Sequence, residues 1–332
     1  MGYKDTDYLH AAARTAYLET RLITKEELLK AVDAASAKDA YRLLAGMNIF
    51  RNHSLDEYEK AFEENLAEAY DLVEEITGEI GLTDIFRYPI DGHNMKVMIK
   101  SRAAEGDFRG LYKCGGTVEP DVMKREFDKK DFNHVPELLG EAALEAADKL
   151  AKTRDSQAVD IFTDKAVLAL MGKKAVEINC ECLTDYVTAR IDLTNIRSAL
   201  RLLRMKKDTY TASKVFAEGG SFSIKELDES YSMGYDGMKK LAERIPQSER
   251  MTEAVSLVKQ GQSIEVFEQQ SDGCFRDLFE KARIVPFGIE PVLTYLYLKE
   301  QEIRACRLVL VSKLYELPKE KIAERVRYIY AN

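Results

Sequence analysis

A chain of 332 residues with 45% apolar side chains can bury a sizeable core, and its length divides into two or three structural units. The formal charge of −8 and a pI near 5.4 exclude a nucleic-acid partner held through phosphates. Five cysteines without framework spacing fit a reducing cytosol rather than a disulfide scaffold.

The opening stretch, Met1 to Arg21, has no apolar signal region, and Met1-Gly2 is a poor start for myristoylation. Nowhere is there an uncharged run of 18 residues, so neither secretion nor a membrane span is expected. Seven prolines and long windows of Ala, Leu, Glu and Lys predict an all-α protein without a sheet.

In chain order, Asp7 to Arg21 reads as a first helix with Leu9, Ala12, Ala13, Ala16 and Tyr17 on one face. Thr24 and Glu27 form a capping box that opens a second helix. Ser54 and Glu57 repeat that signature before an acidic helix, Leu55 to Thr77, striped by Tyr58, Phe62, Leu66, Ala69 and Val73. Pro89 ends a turn, and a new helix runs from about Gly92 to Ala104. Glu137 to Leu170 is helical with a break near Thr153 to Gln157, and Ala175 to Lys206 reads as one long helix. Ser223 to Ser230 is a capped short helix that Asp228 to Arg244 continues.

The last apolar stretch runs from Ile284 to Leu314, with Pro286 and Pro291 at its start and Pro318 beyond its end. A helix of about 22 residues fits between them. Ile289, Leu293, Leu296, Ile303, Leu310 and Leu314 form its stripe, and Glu300 and Arg307 give it a polar waist. Its charged middle keeps it out of a bilayer. Charge is uneven along the chain. Residues 56–84 hold eleven Asp or Glu against Lys60 alone, whereas residues 299–332 hold eight Lys or Arg against five Glu.

An internal repeat organises these elements. Asp91-x-x-Asn94-x-Lys96 recurs as Asp192-x-x-Asn195-x-Arg197, and Glu302 with Arg307 marks a degenerate third copy. Each copy sits on a helix and is followed by a helix start, at Thr117, Ser221 and Leu317-Pro318, with Thr24 belonging to the same series. Four starts for three copies suggest that the two ends of the chain combine into one unit, closing a pseudo-threefold arrangement. Asp91 and Asn94 flank one side of a packing stripe through Met95 and Ile99, with Lys96 and Lys100 on the other side. Asp192, Asn195, Arg197 and Arg201 flank Leu193, Ile196, Leu200 and Leu203 in the same way. Such helices are expected to lie beside one another, with the acids buried and hydrogen-bonded. The eight motif residues either specify that packing or touch a partner; spacing alone leaves both open.

Chemical motifs are sparse. His10, His53, His93 and His134 are too scattered for a zinc site, and Cys180-Glu-Cys182 is a lone pair whose thiols diverge on a helix, so no metal or cofactor is expected. There is no phosphate-binding loop; Gly115-Gly116-Thr117 and Gly219-Gly220-Ser221 read as helix punctuation. No nucleophile has a base at a recognisable spacing, so no catalytic residue is assigned. On the residues alone, an α-helical scaffold or an enzyme of unknown type sharing only the repeat is the alternative reading.

YPIDGHNMKVMIKSR, RIDLTNIRSALRLLR and the run from Val285 to Tyr330 resemble the C subunit of the V-type (A-type) ATP synthases, the family that includes the d subunit of vacuolar proton pumps. The specific part is P-F-G-x-E-P-x-x-x-Y followed by E-x-x-R and L-P-x-E; Ala305 and Cys306 depart from the usual Asn and Leu. The resemblance implies a non-catalytic rotor part: three similar helical lobes around a central funnel-like cavity, seated on the membrane proteolipid ring. Its implied partners are the D and F subunits of the central shaft, the ring, and further the membrane stator subunit, on the cytoplasmic face of the membrane. The lobes are expected at residues 1–87 joined by 286–332, at 88–175 and at 176–285.

Overall fold

The computed structural model of the chain describes residues 5–47, 49–50, 53–104, 106, 108–285 and 288–329. Met1, Gly2, Pro286, Phe287 and Tyr330, which entered the sequence reading, lie outside them. The described residues form sixteen α-helices and no strand. They are α1 Leu9–Glu19, α2 Lys25–Asp33, α3 Ala37–Ala45, α4 Tyr58–Thr77, α5 Asp84–Ala104, α6 Pro120–Lys129, α7 Glu137–Thr153 and α8 Ser156–Ile178. Then follow α9 Glu181–Arg204, α10 Thr209–Val215, α11 Ile224–Ser232, α12 Tyr235–Ala242, α13 Ser248–Lys259, α14 Glu265–Arg283, α15 Glu290–Leu314 and α16 Lys319–Ile329. The all-α expectation holds.

Local chemistry explains where the sequence reading succeeds and fails. The Thr24–Glu27 box opens α2, and Ser54–Glu57 opens a 3₁₀ turn that leads into α4. Between α7 and α8 the chain breaks at Arg154, in the left-handed region, before Asp155 caps the new helix. Pro89 does not end a turn: it lies inside α5, which starts at Asp84. Its missing N–H falls early in the helix, where burial of Ile85, Phe86 and Tyr88 offsets the lost bond. Ala175 to Lys206 is not one helix, because Asn179 turns left-handed at φ 57 and closes α8. Asp228 to Arg244 is likewise divided at Gly234, whose φ 68 and ψ −148 suit only glycine.

The face assigned to α1 is also corrected. Tyr8, Ala11 and Thr15 turn inward, while Leu9 and Tyr17 are exposed. Thr15 is tolerated in the core because its hydroxyl donates to the carbonyls of Ala11 and Ala12 at 3.0 and 3.1 Å.

The chain divides into two compact units. The first gathers residues up to Thr83, Lys113–Gly115 and those from Glu280 onward. There α15 is the central helix, and α1, α2, α3, α4 and α16 all pack on it. Leu28, Leu44, Phe62, Ile303, Cys306, Leu310, Ile322 and Val326 share one core, so the first and last helices of the chain fold together. Being surrounded, α15 buries Val292, Tyr295 and Val309 as well as its stripe, although Leu314 at its end is exposed.

The second unit holds Asp84–Tyr112 and Gly116–Phe279. Helices α5, α7 and α8 pack on one another, and α6 touches α5 and α7. Helix α9 packs against α8 and against α10, α11 and α12. Ile196, Leu200, Phe216, Leu227, Met238 and Phe267 form the core of this latter group. Each such buried side chain contributes roughly 1.5–3 kcal/mol against leaving it exposed.

Candidate functional site

The three copies of the motif share one hydrogen-bonding device. On α5, Asp91 is fully buried, and its Oδ2 accepts from Thr117 N at 3.1 Å and Thr117 Oγ1 at 2.6 Å. Its Oδ1 accepts from Val118 N at 3.4 Å. On α9, Asp192 takes Ser221 N at 2.9 and 3.1 Å. On α15, Glu302 Oε1 accepts from Ile23 N at 2.7 Å while Oε2 accepts from Lys299 Nζ at 2.6 Å. The amides so held lie two or three residues ahead of the first residue of α6, α11 and α2. Each motif helix therefore pins, by one carboxylate, the loop that leads into a short helix.

Backbone geometry explains the residue types. A Cβ on Gly116 would stand 2.2 Å from Asp91 Oδ1, and one on Gly220 would stand 2.1 Å from Asp192 Oδ1. The short aspartate reaches its loop because a glycine lets the backbone come that close. In the third copy Leu22 precedes the bound amide, and the acid is a glutamate, one methylene longer. The paired glycines are thus part of the motif, beyond the helix punctuation expected of them.

Burial pushes the Asp91 carboxyl up to about 6, against the opposing pull of the Thr117 and Val118 donors. Burial raises Asp192 as well, opposed by Ser221, Phe222 and Arg244. Asn195 lies beside its acid and pairs with both backbone groups of Ala217, donating at 2.9 Å and accepting at 2.8 Å. Asn94 is fully buried at the matching place on α5, and Ala305 fills it on α15.

The basic edge is held separately. Lys96 reaches Asp164 at 2.5 Å and Lys100 reaches Asp160 at 2.7 Å, both on α8. Arg197 and Arg201 share Glu268 of α14 at 3.9 and 2.6 Å. Arg307 pairs with Glu59 of α4 at 2.8 Å and lies over the Phe62 ring. Glu300, the other residue of the polar waist, accepts from Tyr70 of α4 at 2.6 Å.

Two motif helices do lie side by side where Phe86 of α5 stacks on Tyr186 of α9, but their edges find other partners than each other. The acid edges bind loops, and the basic edges bind other long helices of the same unit. A helix interior has no spare N–H groups, whereas consecutive loop amides offer two or three donors to one carboxylate.

The sequence reading missed the acids that complete these pairs, and two further carboxylates of the same kind. Glu74 accepts from the amides of Gly81 and Thr83 ahead of α5. Glu126 accepts from the amides of Asn133, His134 and Val135 ahead of α7. Burial opposes ionisation of Glu126, but those donors and the His134 ring hold its carboxyl down at about 2. No local signal marks these residues, since each donor lies at least seven positions away.

Cys180 is buried as the cap residue of α9, and Cys182 lies half-buried two residues on. Among the described residues no group of His, Cys, Asp and Glu is arranged to hold a metal ion, and no helix is long and apolar enough to cross a membrane.

The profile of the ATP synthase (C/AC39) subunit family matches residues 11–325. The chain is 23% identical to the C subunit of the V-type sodium ATPase of Enterococcus hirae, over 94% of its own length and 95% of that protein. It is 23% identical to the C subunit of the A-type ATP synthase of Methanosphaera stadtmanae, over 96% of this chain and 87% of the relative. Identity to the C subunit of the V-type ATP synthase of Thermus thermophilus is 22%, over 71% of each chain.

Proposed function

Because the chain belongs to the ATP synthase (C/AC39) subunit family of the rotary V/A-type ATPases, we propose that it is a non-catalytic part of the central stalk. In this reading it joins the central shaft, made of the D and F subunits, to the proteolipid ring and passes torque between them. It sits peripherally on the cytoplasmic face of the membrane, with the membrane stator subunit as a further neighbour. Its lobes are residues 1–87 with 286–332, 88–175 and 176–285, related by an approximate threefold axis around a funnel.

The observation that carries this reading is the way each motif helix is clamped on two sides. One edge is bound to loop amides through a buried carboxylate, and the other is bound to a long neighbour through an ion pair. A helix held on both flanks resists rolling about its own axis, which is what a part that transmits torque without chemistry requires. The motif residues Asp91, Asn94, Lys96, Asp192, Asn195, Arg197, Glu302 and Arg307 are on this view structural.

The test is a reconstituted complex with and without the chain. Removal should leave ATP hydrolysis by the head intact and abolish ATP-driven ion transport, and the isolated chain should hydrolyse no ATP. Transport that survived removal would refute the coupling role.

A further inference from the structure

A cavity of about 650 Å³ opens between α5, α6 and α7, towards the C-terminal ends of all three. The lining residues of α7 run from Leu144 through Ala147 to Ala151 and end at its cap residue Arg154. They form one helical ridge about 15 Å long. Ile99 of α5 and Phe127 of α6, both buried, complete an apolar floor. Arg102, Lys130 and Arg154, all exposed, stand at the rim. We propose that the cavity binds a single-chain amphiphile with an anionic head, its alkyl chain on the floor and its head among the three cations. The proposal is independent of the rotor reading above.

Size and lining set the class of ligand. A cavity of this volume lies in the range that takes small organic molecules. An extended chain of about ten carbons covers most of the α7 ridge. The floor consists of helix residues whose N–H groups are spent inside their own helices. A peptide laid there would leave its carbonyls unpaired, whereas an alkyl chain has no polar group to satisfy.

The charges match an anion. Asp148 is the one acid among the described lining residues, and Lys152 holds it at 2.7 Å. Arg102 lies over the Phe127 ring, 5.7 Å from its centroid. It reaches Asp128 only at 3.8 Å, while Lys124 holds that carboxylate at 2.6 Å. Asp131 and Asp155, next in sequence to Lys130 and Arg154, lie outside the lining, and Asp155 caps α8 through the Gln157 amide at 2.9 Å. Lys130 and Arg154 close the ends of α6 and α7, where a helix dipole attracts an exposed cation weakly. The chain already serves the carbonyls there: Lys130 N donates to Phe127 O at 3.3 Å and Arg154 N to Leu150 O at 2.9 Å. The cationic side chains are thus available to a head arriving from solvent.

Calorimetric titration of the full chain with decanoate, decanol and hexanoate, each below its micellar concentration, tests this. Decanoate should bind at least about tenfold tighter than decanol, and that preference should fade as salt rises. Decanoate should also bind at least about tenfold tighter than hexanoate, which has four methylenes fewer. Lys130→Gln/Arg154→Gln alters two exposed side chains, so its melting curve should stay near wild type. It should weaken decanoate about fivefold and leave decanol unchanged. Ala147→Phe fills the groove from a half-buried position and should abolish binding of both.

Phosphatidylglycerol vesicles that displace decanoate identify a bilayer lipid as the source of the head and chain, and vesicles that leave it bound identify a free fatty acid; the site stands in both cases. Decanol bound as tightly as decanoate, or a double glutamine variant that binds decanoate like wild type, overturns the anionic head. Hexanoate bound as tightly as decanoate overturns the alkyl chain and points to an acidic protein segment instead. Decanoate binding that survives Ala147→Phe overturns the site, and if that variant does not fold, the double glutamine variant decides alone.

Discussion

The second and third copies of the motif solve one problem with different parts. In the second, Gly220 lets the loop approach and the short Asp192 takes the Ser221 amide. In the third, Leu22 stands where the others have a glycine, and the longer Glu302 takes the Ile23 amide. Glu302 also binds Lys299, whose side chain is only 13% exposed. The basic edges differ too. Arg307 faces α4, which lies in the acid-rich stretch, and lies over Phe62. Arg197 and Arg201 share one glutamate. Side-chain length follows backbone approach, and the helix lying alongside decides which acid serves the basic edge.

The largest effect should come from removing the two acids. Glu302→Leu strands both the Ile23 amide and the buried Lys299 ammonium, at about 3–5 kcal/mol. Asp192→Leu leaves the Ser221 and Phe222 donors unpaired but strands no buried charge, at roughly 1–3 kcal/mol. Urea denaturation of the two variants measures both, and equal losses would show that Lys299 adds nothing.

Next is the response to pH. Burial lifts the carboxyl of Asp91 from 3.8 to about 6, so the folded chain holds that proton more tightly than the unfolded one. This group's contribution therefore falls as pH rises from about 4 to about 6 and is flat above, by roughly 2–3 kcal/mol in all. Asp91→Asn should lose that slope in denaturation curves taken across the window. Glu126 has the opposite sign, because its folded value near 2 lies below the ordinary 4.5. Its contribution is present above pH 4.5 and is lost as pH falls towards 2.

A double-mutant cycle tests the length argument itself. Glu302→Asp should fall short of Ile23, and adding Leu22→Gly should restore part of the loss, a coupling of about 1–2 kcal/mol. Strict additivity of the two changes would mean that loop distance and acid length are unrelated. The smallest contrast is between the arginines. Arg307→Ala loses an ion pair and a ring contact, at about 1 kcal/mol. Arg197→Ala should stay within about 0.5 kcal/mol, because its pair is long and its loss relieves Arg201. Thermal melts of the two resolve this.

What the sequence determined by itself is what short-range physics controls. Thr24 and Glu27 cap one helix turn from within four residues, so their box is readable and present. The period of Ile289, Leu293, Leu296 and Ile303 fixes α15 as a packed helix, and the recurrence of Asp91 and Asp192 marks related helices. Even the left-handed stop near Arg154 announced itself through the polar run around it.

Tertiary structure alone decided the rest. The donors to Asp91 and Asp192 lie 26 to 29 residues downstream, and the loop amide that binds Glu302 lies 279 residues away. No pattern in a window names such a partner. The stops at Asn179 and Gly234 hide inside helical periodicity, because a single left-handed residue changes direction without changing composition. Thr15 took the inward face of α1 from Leu9 because its hydroxyl is satisfied within its own helix. Periodicity reports which residues share a face; which face is buried depends on what packs against it, and that is settled only when distant helices meet.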